Sequence, residues 1–225
     1  MTDGGIFTPR AAFFDFDMTV ADTAAAVVTA MNTFAREKGL RGIGLDDLMN
    51  AIGLTMEESW VRYWGRCEPD WPDSYRSRFK DLELSGFRPF PDAIPVLRRL
   101  RGEGIRTAIV TNRWLAAEAA EAAGMGGLFD AVVGYEEVGR HKPDPEPVLK
   151  AAELLDVAPG EAVMVGDSHV DMMSAVSAGA RAIGVTTGGT VAEDLLRAGA
   201  WRVCGRLGEV PELMGLGGLG GVGGH

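Results

Sequence analysis

Two aspartates, Asp15 and Asp17, stand one residue apart, directly after the apolar run Ala11-Ala12-Phe13-Phe14 and before Met18-Thr19. A run of this kind reads as a strand buried in a parallel sheet, and ligands of open α/β sheets bind beyond the carboxyl ends of such strands. Paired carboxylates in that place suit phosphate chemistry. Two acids leaving a strand also make a solvated turn or a helix cap, and the pair alone does not choose between these uses.

Three further segments fall at the end of an expected strand or just after one. Ile109-Val110 runs into Thr111-Asn112, where a hydroxyl and the backbone amides of a helix start can receive phosphate oxygens. His141-Lys142-Pro143-Asp144-Pro145 sets a lone lysine before a helix whose start is fixed by proline. Val163-Met164-Val165 runs into Gly166-Asp167-Ser168, where the glycine permits a tight turn, and Asp171 follows shortly after. Taken singly, these are a helix cap, a solvated lysine and acids in a first helical turn. Taken together, they would gather acids, a hydroxyl and a lysine on one edge of a sheet. Three or more like charges brought together there repel strongly unless a cation is bound.

The elements that must position these residues follow from periodicity. After residue 88, short apolar runs alternate with amphipathic stretches, the pattern of a parallel sheet with crossover helices. Strands are expected near 106–111, 131–134, 162–166 and 181–185, with helices near 92–102, 114–123, 145–155 and 170–178. With the first strand, the sheet has at least five members. Residues 22–88 carry no convincing strand and read as helices. The first of these would be capped by Thr23 or Asp22, present Val27, Ala30, Met31 and Phe34 on one face, and stop at Gly39. Trp60 and Trp64, at helical spacing, read as the core of this insert, and the two prolines of Gly86-Phe87-Arg88-Pro89-Phe90-Pro91 make a return linker. The fold expected is therefore α/β: a Rossmann-like parallel sheet with helices on both faces (residues 1–20 and 89–214), an inserted all-helical cap (21–88), and a disordered glycine-rich tail (215–225).

Composition narrows the partners. The 225 residues include 22 basic and 32 acidic side chains, a net charge of -10 with no basic block, which argues against nucleic acid and anionic membrane surfaces. Two cysteines, Cys67 and Cys204, suggest neither a disulfide framework nor a zinc site. No apolar stretch approaches the ~20 residues of a membrane helix, and no export signal precedes the first strand, so a cytoplasmic location is expected. Nothing in the residues reads out oligomeric state, and both monomer and homodimer stay open.

In this order the four segments resemble the motifs of the haloacid dehalogenase superfamily of phosphotransferases: Asp15-Phe16-Asp17-Met18-Thr19-Val20, Thr111, Lys142, and Gly166-Asp167-Ser168-His169-Val170-Asp171. Within it the chain is most similar to the phosphoglycolate phosphatase-like branch, through Ala21-Asp22-Thr23, Val110-Thr111-Asn112, Lys142-Pro143-Asp144-Pro145 and Ala175-Val176-Ser177-Ala178-Gly179, and the position of the insert matches that branch's small helical cap. Met18 departs from the pattern, since relatives with small caps commonly carry glycine there.

The resemblance implies a Mg²⁺-dependent phosphatase acting on a small phosphorylated metabolite, a phosphoglycolate-like monoester. Asp15 would be the nucleophile that becomes an aspartyl phosphate, and Asp17 the acid and then the base. Thr111 and the amide of Asn112 would hold phosphate oxygens, and Lys142 would balance charge on nucleophile and phosphoryl group. Mg²⁺ would be held by the carboxylates of Asp15 and Asp167 and the backbone carbonyl of Asp17, with Asp171 in support. Arg113 is expected to meet a substrate carboxylate, ahead of the insert arginines Arg62, Arg66, Arg76 and Arg78. A dehalogenase would lack the second acid, so Asp17 favours a phosphatase. A beta-phosphoglucomutase-like enzyme is the next reading, weakened by Thr19 in place of valine and by a missing cap histidine. The motifs also allow a pyrophosphatase, or a binding or regulatory protein that kept the fold without turnover.

Overall fold

Ala12 and Phe14 join one hydrophobic cluster while Ala11 and Phe13 join another, because successive side chains of a strand point to opposite faces. The computed structural model describes residues 7–51 and 53–217, and places this strand at the centre of the molecule. The strands are β1 (Ala11–Phe14), β2 (Ala21–Asp22), β3 (Arg88–Pro89), β4 (Arg106–Val110), β5 (Ala131–Val133), β6 (Ala162–Gly166), β7 (Arg181–Val185) and β8 (Arg202–Cys204). The helices are α1 (Ala24–Lys38), α2 (Leu45–Met49), α3 (Met56–Trp64), α4 (Trp71–Leu84), α5 (Ala93–Gly102), α6 (Ala116–Ala122), α7 (Glu146–Leu154), α8 (His169–Ala178), α9 (Ala192–Arg197) and α10 (Val210–Leu213).

Six strands form one parallel sheet in the order β5-β4-β1-β6-β7-β8. Parallel strands need crossover helices, and these cover both faces. Helices α5, α6 and α10 pack on the face of Ala12 and Phe14, and α7, α8 and α9 on that of Ala11 and Phe13. The fold class is as expected, with one strand more than the five read from the sequence. That strand, β8, has three residues with Arg202 exposed and Val203 half-buried, too short and too polar to stand out as an apolar run.

Chain order reverses beside β1, which pairs with β4 on one side and β6 on the other. The carboxyl ends of these three strands therefore lie side by side at ~4.8 Å spacing. Each runs straight into a motif residue: Phe14 into Asp15, Val110 into Thr111, Gly166 into Asp167. A crevice at such a reversal is where open α/β sheets take ligands.

Helices α1 to α4 lie between the two-residue strands β2 and β3, which pair antiparallel, Ala21 with Pro89 and Asp22 with Arg88. These strands sit at the two ends of the segment read as helical, and two residues are too few to show alternation. Inside the insert, Phe34 stacks on Trp60 at 5.0 Å between ring centroids and meets Trp71, Tyr75 and Phe79 edge-on. Trp60 is fully buried, and the insert's apolar residues are continuous with the sheet cluster through Phe16 and Phe87. Gly39 ends α1 in the left-handed conformation at φ 66°. The Thr23 side chain does not cap that helix, because its hydroxyl is used elsewhere, as described below. No helix among the described residues is long and apolar enough to cross a membrane. Of the glycine-rich tail expected to be disordered (215–225), residues 218–225 lie outside the described residues, whereas Leu216 within it packs against the core and donates its amide to the Pro211 carbonyl.

Candidate active site

Lys142 reaches the sheet edge from the loop before α7 and is almost wholly enclosed. Its ammonium donates to Asp15 Oδ1 at 2.7 Å, to the Val110 carbonyl at 2.9 Å, and to Asp171 Oδ1. Its three donors are thereby used, as a buried ammonium requires. Burial alone would lower the pKa of this lysine, but the charges of Asp15 and Asp171 win and raise it, so it stays protonated. The backbone of Lys142 is fixed by Asn112, whose side-chain oxygen accepts from the Lys142 amide and whose Nδ2 donates to the Lys142 carbonyl, both at 2.9 Å. The same Nδ2 donates to the carbonyl of Gly53 in the helical insert. The Asn112 side chain is thus a brace joining three loops, while Thr111, buried beside it, accepts from the Arg113 amide.

Asp15, Asp167 and Asp171 each offer a carboxylate oxygen within 4.8 Å of the others, and all three residues are buried. The Asp171 oxygens are fully engaged, one by Lys142 and the other by the amide and hydroxyl of Ser168. Asp167 differs. Its Oδ1 accepts from Thr19, while its Oδ2 is buried with no hydrogen-bond partner among the described residues. Gly188, in the loop after β7, touches that oxygen so closely that a Cβ there would collide with it. An orphaned anionic oxygen is costly unless a cation meets it. Burial and the neighbouring carboxylates push Asp15 up to about 6 and raise Asp167 strongly. A buried all-oxygen set with too few positive charges fits a hard divalent ion such as Mg²⁺.

The Asp17 carboxylate is not part of this group. It turns away to Arg113, which donates from Nε to Oδ2 at 2.8 Å and from Nη2 to Oδ1 at 2.7 Å, a bidentate pair. Thr23 donates its hydroxyl to the same Oδ1 at 2.7 Å. Burial would raise the Asp17 pKa, but Arg113 and Thr23 lower it below the ordinary value. The guanidinium also donates from Nη1 to Glu83 Oε1 at 2.6 Å and lies over the Phe87 ring at 4.6 Å. Glu83 is on α4 and accepts from the Tyr75 hydroxyl at its other oxygen. The chain Asp17–Arg113–Glu83–Tyr75 therefore ties the sheet edge to the insert.

Asp15, Asp17, Thr111, Asn112, Arg113 and Lys142 line one cavity of about 160 Å³ between sheet edge and insert. Asp167 and Asp171 lie behind Asp15, away from its lining. Of the insert arginines, Arg76 lines the cavity, while Arg62, Arg66 and Arg78 do not. Three participants escaped the sequence reading, Thr19, Ser168 and Glu83, whereas Gly188, after the last expected strand, reads from the sequence either as a border of the site or as loop only. The hydroxyls of Thr19 and Ser168 stand within or beside motifs and had a signal in their position. Glu83 had none, since a single acid on an amphipathic helix is ordinarily solvated.

Residues 12–185 match the model of the haloacid dehalogenase-like hydrolases. A Caldanaerobacter subterraneus protein provisionally named pyrophosphatase PpaX is 35% identical over 185 residues, covering 78% of this chain and 80% of that one. A phosphoglycolate phosphatase of Nitrosospira multiformis is 31% identical over 193 residues, covering 80% of this chain and 84% of its own. The crystal structure of a Bacteroides fragilis protein, provisionally described as a haloacid dehalogenase-like hydrolase, superposes with a TM-score of 0.82 at 32% identity, covering 90% of this chain and 100% of that one.

Proposed function

Because the chain belongs to the haloacid dehalogenase-like hydrolases, and is a phosphatase of that family, we propose that it hydrolyses a small phosphomonoester through an aspartyl phosphate on Asp15. The observation that carries this reading is Lys142 bound to Asp15 beside the unpartnered oxygen of Asp167, a nucleophile with one cation in place and room for another.

Asp15 and Asp167, with the backbone carbonyl of Asp17, would hold Mg²⁺. The bound ion would supply positive charge against the phosphoryl oxygens and the two carboxylates. The Asp15 carboxylate attacks phosphorus, the bond from phosphorus to the ester oxygen breaks, and that oxygen takes a proton from Asp17. Water then attacks the same phosphorus, gives a proton to Asp17, and releases inorganic phosphate with Asp15 restored. Lys142 neutralises part of the charge on nucleophile and phosphoryl group. Thr111 and the amide of Asn112 receive the nonbridging oxygens. Arg113 as it stands favours ionised Asp17, the form that accepts the proton in the second half. Donating the proton in the first half requires Arg113 to loosen its grip.

The relatives' names bring two candidate substrates, phosphoglycolate and pyrophosphate. The test common to both is Mg²⁺-dependent release of phosphate from a generic aryl phosphate. Asp15→Asn should lower the rate by at least about 10³-fold and trap no phosphoenzyme. Asp17→Asn should slow both half-reactions by about 10²–10⁴-fold, yet still let acyl phosphate accumulate from a good leaving group. Equal rates for wild type and Asp15→Asn would end this reading.

A further inference from the structure

Beyond the sheet edge the insert walls the cavity, and α4 contributes Tyr75, Arg76, Lys80, Glu83 and Leu84 to that wall. Arg76 and Arg113 are enclosed alike, with side chains 15% and 13% exposed, but they use their donors differently. Arg113 makes hydrogen bonds from Nε, Nη1 and Nη2, to Asp17 and Glu83. Arg76 makes one among the described residues, from Nη2 to Glu57 Oε1 at 3.1 Å. Its Nη1 stands 3.6 Å from the exposed carboxylate of Asp73, and its Nε is buried with no partner among the described residues. Glu57 does not saturate it, since the other oxygen of that carboxylate is buried without a hydrogen bond among the described residues. The guanidinium lies over the rings of Trp114 at 4.6 Å and Tyr135 at 5.6 Å. Stacking of this kind engages the flat face of the group and leaves its N–H edge, the part that meets a carboxylate or phosphate in parallel bonds.

Lys80 follows Arg76 one helical turn later and shares its face of α4. It is exposed, lines the cavity and has no ion pair among the described residues. Two like charges at this spacing weaken a helix, and an anion between them relieves that repulsion. The acid that α4 places in the cavity, Glu83, is already met by Arg113 and by the Tyr75 hydroxyl.

We infer that the leaving group carries an anionic group of its own, a carboxylate or a phosphate, and that Arg76 receives it, with Lys80 adding charge on the same wall. The inference rests on the phosphatase reading above and names its substrate class and the residue that selects it. It gives to Arg76 the part expected of Arg113, which is bound on both sides. An anion brought to Arg76 meets N–H groups that the fold leaves unmatched, so little of the protein's own bonding is broken to receive it. A neutral leaving group would leave those donors without partners, which is costly in an enclosed site.

The experiment compares three substrates under saturating Mg²⁺: 2-phosphoglycolate, pyrophosphate and 2-phosphoglycolamide, in which a neutral amide of the same shape replaces the carboxylate. Wild type should favour one of the charged substrates over the amide by at least about tenfold in kcat/KM, and which one it favours distinguishes carboxylate from phosphate. Arg76→Met should reduce that preference by at least about tenfold, mainly through a higher KM for the charged substrate, and intrinsic differences between leaving groups cancel when variant and wild type are compared. Arg76→Lys keeps the charge without the planar fork and should recover part of the loss. Glu57→Gln, which loosens the one carboxylate hydrogen-bonded to Arg76, should move KM for the charged substrate the other way, down several-fold relative to the amide. It decides the matter also where Arg76→Met does not fold. A wild type that turns over the amide as well as both charged substrates overturns the inference and leaves the phosphatase reading standing. So does an unchanged preference in folded Arg76→Met, or an unchanged KM in Glu57→Gln. Hydrolysis of the aryl phosphate with none of these three overturns the inference alone, and failure on all four removes the phosphatase reading with it.

Discussion

Asp15 and Asp17 are two residues apart and have opposite electrostatic surroundings. Burial and the carboxylates of Asp171 and Asp17 raise the pKa of Asp15 against the pull of Lys142, while Arg113 and Thr23 lower that of Asp17 against its own burial. The sign of the consequence differs accordingly. A carboxyl raised from 3.8 to about 6 by folding contributes stability that is complete below the lower value and lost as pH rises through the higher one. Metal-free protein should therefore lose thermal stability between pH 4 and pH 6.5, and Asp15→Asn should flatten that slope. Asp17 contributes in the other direction, and its share is lost only as pH falls below the ordinary carboxylate range. Bound at the site proposed above, Mg²⁺ would meet the charge that Asp15 and Asp167 leave unbalanced. At about 100 times its dissociation constant it should stabilise the fold by about 2.7 kcal/mol, or roughly 5–10 °C in Tm, with a smaller gain at pH 5 than at pH 7.5. Differential scanning calorimetry with and without the ion reads both effects, and an equal gain at the two pH values would contradict the assignment of these carboxylates as ligands.

At the scale of elements, the turn between β1 and β2 connects Asp15 to the helical insert, and Met18 sits in it with φ 58°. This is the left-handed region that glycine enters freely and that costs another residue roughly 1–2 kcal/mol. The departure from glycine read in the sequence thus falls on a position whose backbone favours glycine. Met18 is nonetheless only 7% exposed and lines the cavity, and its carbonyl accepts from the Thr187 hydroxyl. Burying a methionine side chain is worth about 1.5–3 kcal/mol, and glycine also loses more chain entropy on folding. The two losses outweigh the strain relieved. Met18→Gly should therefore destabilise the protein by about 1 kcal/mol in urea unfolding, despite the more suitable backbone. Thr23 shows the same competition between local and tertiary demands. Its sequence position marks a helix cap, but its hydroxyl serves Asp17 and the helix begins without a side-chain cap.

For the whole molecule, the charge of -10 opposes the approach of any phosphomonoester, while Lys142 and Arg113 favour it only at short range. With a screening length of ~10 Å at 0.1 M salt, the distant charges are suppressed first and the enclosed pairs hardly at all. Under saturating Mg²⁺, kcat/KM for a dianionic substrate should rise by a small factor as ionic strength increases through that range, and a steep fall would show attraction dominating. The parallel sheet, its crossover helices and the helical insert were all legible in the chain, because hydrophobic periodicity and glycine or proline punctuation are local properties. So were Asp15, Asp17, Thr111, Lys142, Asp167 and Asp171 as candidates, since each stands at or near a strand end that the pattern marks. What only the tertiary structure decided is which groups meet across the fold. Arg113 was read as free for a substrate carboxylate, yet it lies between Asp17 and Glu83, residues 96 and 30 positions away in the chain. Gly188 reads from the sequence equally as a border of the site or as loop only, and packing puts it against Asp167, while β8 was too short and polar to announce itself. The sequence by itself determined the strand ends and the chemistry they carry, because periodicity is written into neighbouring residues. The pairing of charges needed the folded chain, because an ion pair depends on distances between segments that no local pattern encodes.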